Sequence, residues 1–407
     1  MSNQDNRTSS LRSPWPYLGL LFLTYFLTNF NVNRLQPILP TIMATLNIDV
    51  AQAGMLISAA TLINIFITAP IGFMISKIGI RKAGLLSMAF LFSGSLIGSF
   101  MTSYHTIMIA MFLGGVGHVF ISVSGLVFIN LLFSKGKLAT ATSIYTSSGV
   151  TAQFVTFILL PNITSIGNIK PAWRIDLVLA FVCFLLWIIF VQKRFITNLE
   201  QENAGGGENE KPLEEGSSYV KRVLTNPSIW KLSFSLFLFM IVAMGVLGYL
   251  PSYLVSERGF DLKFASFICS FNALVGFVCM IFAGFLADRF NTNKWIFFVA
   301  TVVMAALRLL QVTVPMGPLL IMITVIQGIP AAGPTMIFSA IGRVVTDPKE
   351  KSIAMAIVMT AFLTANALSP LIFGFLVRSM GYSFSHMILA PVAVISLIGI
   401  FTVKNLK

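Results

Sequence analysis

Gly72-Phe-Met-Ile-Ser-Lys-Ile-Gly-Ile-Arg-Lys82 and Gly284-Phe-Leu-Ala-Asp-Arg-Phe-Asn-Thr-Asn-Lys294 begin 212 residues apart in the sequence. Each is a short basic turn opened by a glycine and flanked by long apolar runs. Leu39-Pro40 recurs as Leu250-Pro251 at nearly the same offset, 211 residues. A repeat of about half the chain predicts two similar bundles related by a parallel pseudo-symmetry.

Working outward from these turns, the 407 residues are 56% hydrophobic and only 10% charged, with mean hydropathy +0.87. That composition belongs to a polytopic membrane protein. Runs of roughly 20 apolar residues cross a bilayer as helices. The first half reads as spans over 15–43, 51–76, 83–101, 104–133, 139–160 and 172–193. The second reads as 228–255, 264–288, 294–313, 317–344, 352–377 and 383–403. The expected fold is an all-α membrane protein, twelve transmembrane helices in two pseudo-symmetric six-helix bundles. The expected layout is a cytoplasmic tail 1–14, a bundle 15–193, a linker 194–227, a bundle 228–403 and a tail 404–407. The linker, with Glu200-Gln-Glu-Asn-Ala-Gly-Gly-Gly-Glu-Asn-Glu-Lys-Pro212, has the composition of a solvated tether. No cleavable signal sequence follows the polar start, so the first span is expected to stay inserted.

Net charge is +13, which in a soluble chain suggests nucleic acid. Here its distribution gives another reason. Of the 27 Lys and Arg, twenty fall on the side expected to hold both termini and five on the other. Positive residues mark the cytoplasmic side, so both termini are expected in the cytoplasm of a cell whose inner membrane holds the chain. Cys183, Cys269 and Cys279 lie in apolar runs without a C-x-x-C pair, and the three histidines are scattered. No metal site, cofactor, nucleic-acid partner or catalytic cluster is expected, so an enzyme is not the expected reading.

Twelve spans, a central linker and the turn pattern G-x-x-x-D-R/K-x-G-R/K-R/K resemble the major facilitator superfamily. In the first copy Gly72, Lys77, Gly79, Arg81 and Lys82 fit, and Ser76 replaces the acid. In the second Gly284, Asp288, Arg289 and Lys294 fit, and Asn291 replaces the glycine. The resemblance implies that these turns, Gly72, Lys77, Gly79, Arg81, Gly284, Asp288 and Arg289, form a gating latch. Short basic turns that only set topology are the simpler alternative. The span 4 stretch Met111-Phe-Leu-Gly-Gly-Val-Gly117 lacks the family's arginine, and span 5, Ser143–Gln153, lacks the Gly-Pro signature of drug/proton antiporters. Asn29-Phe-Asn-Val-Asn-Arg34-Leu-Gln-Pro-Ile-Leu-Pro40 resembles span 1 of the anion-transporting branches, the anion:cation symporters and the cyanate/nitrate-type permeases.

Arg34 and Arg308 are the two cations inside apolar runs, and all fourteen acids fall in loops, tails or span ends. A charge in hydrocarbon costs about 3 kcal/mol or more without a partner. The expected partner of Arg34 is therefore an anionic substrate, held by a planar fork that suits a carboxylate. The closest acid along the spans is Asp176, at the start of span 6. Candidate substrate-binding residues are Arg34, Asn33, Gln36, His118, Gln153, Tyr249, Asn272 and Asn366. His118 has two readings, proton relay or helix–helix contact. Arg308 also has two, snorkelling or, with Gln311, part of an anion path or gate. Gln327-Gly-Ile-Pro-Ala-Ala-Gly-Pro334 must bend or break span 10. The expected function is a monomeric secondary transporter of a small anion, an organic carboxylate, coupled to a proton or a counter-anion. The alternative is export of amphipathic drugs or lipids.

Overall fold

The computed structural model describes residues 14–100, 103–133, 135–192, 216–290, 292–345 and 348–403. The tail before residue 14, the linker up to residue 215 and residues 404–407 lie outside them. Backbone amides in hydrocarbon must bond within their own segment, and helices do this. Among the described residues there is no strand, only an isolated bridge between Ser165 and Asn168.

The N-terminal half comprises α1 (Trp15–Asn33), α2 (Leu39–Leu46), α3 (Val50–Ile78), α4 (Ile80–Phe100), α5 (Tyr104–Leu132), α6 (Lys135–Ile163) and α7 (Pro171–Phe190). A short α8 (Gly216–Thr225) leads into the second half. There follow α9 (Pro227–Ser256), α10 (Leu262–Phe290), α11 (Asn293–Thr313), α12 (Pro318–Ile326), α13 (Ala332–Val344), α14 (Pro348–Ile395) and α15 (Leu397–Phe401). Ten helical stretches are long and apolar enough to cross a membrane. α1 is not among them, because Asn29, Asn31 and Asn33 crowd its last turns. α14 is two spans joined at Gly381, whose φ of 79° breaks the helix. The span count is twelve.

The repeat is visible in the elements themselves. α3 and α10 are each 29 residues long and start 212 residues apart. α4 and α11 are each 21 residues long and start 213 apart. Helix ends are treated alike as well. Arg81 Nε donates to Val191 O at 2.6 Å, and Lys294 Nζ donates to Val403 O at 2.9 Å. In each half, then, a base from the repeated turn caps the carbonyl end of the sixth span, where the helix dipole favours a cation.

Local sequence explains the remaining ends. Asp49 and Gln52 form a reciprocal capping box at the start of α3. Ser103 and Thr106 do the same for α5. Two spans are broken rather than continuous. Span 1 passes through a 3-10 turn, Gln36–Ile38, and span 10 through another, Ile329–Ala331. Pro37 and Pro330 each remove a backbone donor at the break. The continuous span expected over 15–43 is thus corrected to α1, a turn and α2.

Candidate functional site

Between the halves lies a cavity of about 650 Å³. α1, α3, α5 and α6 supply one wall, and α9 and the first part of α14 supply the other. Among the described residues, no Lys, Arg, Asp or Glu lines it. The N-terminal wall is polar, with Tyr25, Asn29, Asn33, Gln36, Asn64, His118, Ser122 and Tyr145. The C-terminal wall is mostly apolar, with Met244, Leu247, Met359, Phe362, Leu363 and Pro370, and Asn366 as its amide.

The i, i+4 spacing of Asn29 and Asn33 orders the polar wall. Asn29 Nδ2 donates to Tyr25 O at 2.8 Å and Asn33 Nδ2 to Asn29 O at 2.9 Å. Gln36 Nε2 donates on to Asn33 Oδ1 at 3.3 Å. Because backbone carbonyls anchor this ladder, its direction is fixed and it ends on an acceptor. Gln36 Oε1 is buried without a partner, as is Asn64 Oδ1. The hydroxyls behave alike. Thr61 donates to Ser58 O, Ser122 to Val119 O, Tyr145 to Ile121 O and Thr146 to Thr142 O. Each amide keeps a second N–H, so the wall offers a solute donors as well as acceptors. His118 is held by Thr28 Oγ1, 3.3 Å from Nδ1, and by stacking on Tyr25, which in turn stacks on Tyr145.

Arg34 is not in this cavity. It is fully buried behind it and forms an ion pair with Asp176, also fully buried. Asp176 Oδ2 further accepts from Ser95 Oγ at 2.7 Å and Asn31 Nδ2 at 3.3 Å. The guanidinium lies 4.9 Å from the Trp173 ring centroid. The expectation that no acid sits within a span is corrected here. Asp176 lies in the second turn of α7, and the glycines around it let the helices close in. A Cβ on Gly98 would collide with Trp173, and one on Gly114 with Asn31. Sequence reasoning placed Asp176 by its distance from the end of the run. What hides it is lateral packing.

The other expected residues divide. Asn33, Gln36, His118 and Asn366 line the cavity; Gln153, Tyr249 and Asn272 do not. Asn272 Nδ2 donates to Thr324 O at 3.2 Å, a helix–helix contact. Tyr249 Oη lies 3.1 Å from Val50 O and 3.2 Å from Pro370 O. It therefore ties the halves together on the face away from the chain ends. Ser266 Oγ donates to Pro37 O at 3.0 Å on the same face. Arg378 and Asp49 pair there at 3.3 Å, an exposed contact worth about 1 kcal/mol at most. Of the turn residues, Gly79 takes a φ of 81° and closes α3, and Arg81 serves as the cap already described. Arg289 is exposed beside Phe290 and Gly284 faces open space. The side chains of Lys77 and Asp288 lie outside the described residues, as does the surrounding of Gly72.

Tyr249→Phe is expected to weaken the tie by about 1 kcal/mol. A cysteine at Gly248, inside the cavity, should then react several-fold faster with a membrane-impermeant maleimide added from that face. An unchanged rate counts against the tie.

Among known proteins, the Major Facilitator Superfamily model matches residues 21–315 and 265–405. A curated relative, the probable nitrate transporter NarT of Staphylococcus haemolyticus (strain JCSC1435), is 25% identical over 263 residues. That alignment takes in 64% of this chain and 63% of the relative's length. Two crystal structures of a bacterial homolog to the human lysosomal transporter Spinster superpose on it. The inward-facing occupied form has a TM-score of 0.75, 15% identity and 98% of each chain covered. The inward-facing unoccupied form has 0.74, 14% identity, and 96% and 95% covered. At these identities the likeness is one of fold.

Proposed function

Because the chain belongs to the Major Facilitator Superfamily, a family of transporters, we propose that it moves a small, uncharged amphipathic organic solute by alternating access. One observation carries this reading: a cavity whose described lining residues include no Lys, Arg, Asp or Glu, with one polar wall and one apolar wall. Hydroxyl or amide groups of such a solute bond with the amides of Asn29, Asn33 and Gln36 that line the polar wall. Its apolar body lies against Met244, Leu247, Phe362 and Leu363. Arg34, neutralised by Asp176, does not touch the solute. It fixes the break in span 1 that turns Asn33 and Gln36 toward the cavity. The Tyr249 face is the closed gate, the turns at 72–82 and 284–294 are the opposite latch, and both termini are cytoplasmic.

A second reading, transport of a small anion, is favoured by the nitrate-transporter relative. In it, amide N–H groups of Asn64 and Asn366 and the imidazole of His118 are the donors. The two readings part in a thermal-shift screen of purified protein against polyols, amide-headed amphiphiles, carboxylates and nitrate. We expect stabilisation by donor-bearing neutral amphiphiles, weakened about tenfold in affinity by Gln36→Leu. Stabilisation by anions alone, lost in His118→Leu, overturns the neutral-solute reading in favour of the anion.

A further inference from the structure

The buried ion pair of the N-terminal half has a counterpart with one charge missing. The step of 213 residues that relates α4 to α11 takes Ser95 to Arg308. Leu179-Ala180 recurs 210 residues on as Leu389-Ala390, and that step takes Asp176 to His386. Aligning Pro40 with Pro251 takes Arg34 to Gly245. Guanidinium, hydroxyl and carboxylate in one half thus correspond to glycine, guanidinium and imidazole in the other. The cation has moved from the first helix of the bundle to the third, and the acid is gone.

Arg308 is 3% exposed. It donates from Nη1 to Gln327 Oε1, and its Nε has no acceptor. Gln327 Nε2 is spent on Gln311 Oε1 at 2.6 Å, and Gln311 Nε2 faces Thr324 Oγ1 at 3.4 Å. These amides share the positive charge without cancelling it. No carboxylate bonds to Arg308 among the described residues. His386 is fully buried and neither ring nitrogen has a partner. Its ring packs 4.9 Å from that of Tyr253 and 5.6 Å from that of Phe373, and Tyr253 Oη donates to Gln311 O at 2.8 Å, which joins His386 to the amide network that holds Arg308. Arg258 is itself engaged by Tyr253 Oη and by the carbonyls of Gln311 and Val312. Glu257, the acid beside it in sequence, is exposed.

We propose that the C-terminal bundle holds a small monovalent inorganic anion, of chloride or nitrate size, between Arg308 and His386, where the N-terminal bundle has the Asp176 carboxylate. The anion compensates a guanidinium that hydrocarbon would otherwise leave unpaired. It takes up the idle N–H groups of Arg308 and His386 in charge-assisted bonds. This site lies within one bundle, apart from the solute cavity, so it stands whether the transported solute is neutral or anionic.

The test uses the full-length protein purified in detergent, with sodium gluconate replaced by sodium chloride at constant ionic strength. Two readouts are taken, the melting temperature and equilibrium binding of radiolabelled chloride. The expected result is a saturable rise in melting temperature and saturable chloride binding. Both should be weakened at least about tenfold in Arg308→Gln and retained in Gln36→Leu. Should Arg308→Gln fail to fold, His386→Leu is the second variant, and the wild-type binding measurement still decides. Absence of chloride binding by the wild type overturns the proposal. So does binding that survives Arg308→Gln but is lost in Gln36→Leu, which would place the anion in the solute cavity.

Discussion

Asp176→Ala is expected to be among the most damaging single substitutions in the N-terminal half. It leaves Arg34 fully buried with no counter-charge. Removing one partner of a buried ion pair typically costs about 3–5 kcal/mol, a large part of the marginal stability of a folded chain. Ser95 Oγ and Asn31 Nδ2 lose their acceptor in the same stroke. The paired change Arg34→Met with Asp176→Leu removes both charges and fills the space with apolar side chains of similar size. It is expected to recover most of the lost stability, because replacing a whole buried pair is often neutral. Fluorescence-detected size-exclusion melting of the three proteins checks this. An Asp176→Ala protein that melts with the wild type would show that water or another group already serves Arg34. The same set separates structure from transport. If the double variant folds yet still carries solute, Arg34 is architectural. If it folds and carries nothing, the break in span 1 needs the charge pair for its geometry.

Gly248→Trp is expected to abolish transport and leave the fold intact. Gly248 lines the cavity, and a Cβ built on it meets nothing within 4 Å. An indole there projects into open volume instead of into a packed neighbour, so the overpacking cost of a crowded core does not arise. It occupies a sizeable part of the 650 Å³ and stands between the amide ladder of α1 and the apolar wall of α14. Solute uptake or efflux in proteoliposomes should fall by about a hundredfold, with a melting temperature no lower than that of the wild type. Transport that persists at a tenth of the normal rate or more would move the solute path out of this cavity. The adjacent Tyr249 gives the contrast: its loss should change which face is open while leaving the cavity itself unblocked.

Much of the architecture was legible along the chain. Spans, span number and the repeat follow from hydrophobic runs of bilayer length and from two glycine-basic turns, both local properties. The prolines at 330 and 334 mark span 10 for a bend or break, although proline alone does not say which, and the break at Pro37 is visible only in the structure. Asn33, Gln36, His118 and Asn366 were recognisable as polar groups that a membrane span carries only with reason, and all four reach the cavity. The pairing of Arg34 was not legible. Asp176 sits near a span end by sequence, where solvent would be its natural partner. Gly98 and Gly114 then let α4 and α5 approach closely enough to bury it.

The sequence by itself determined that this is a twelve-span, two-bundle membrane protein with its bases gathered mainly on one face. Hydrocarbon thickness and backbone self-satisfaction leave a helix little alternative. Only the tertiary structure decided which polar groups are free. Whether an arginine meets an acid, an amide or nothing depends on the rotation and depth of neighbouring helices, and these are set by glycine contacts and breaks far apart in the chain. Arg34 is thereby paired with Asp176 and set outside the cavity, and Arg308, within an ordinary apolar helix, has no carboxylate partner among the described residues.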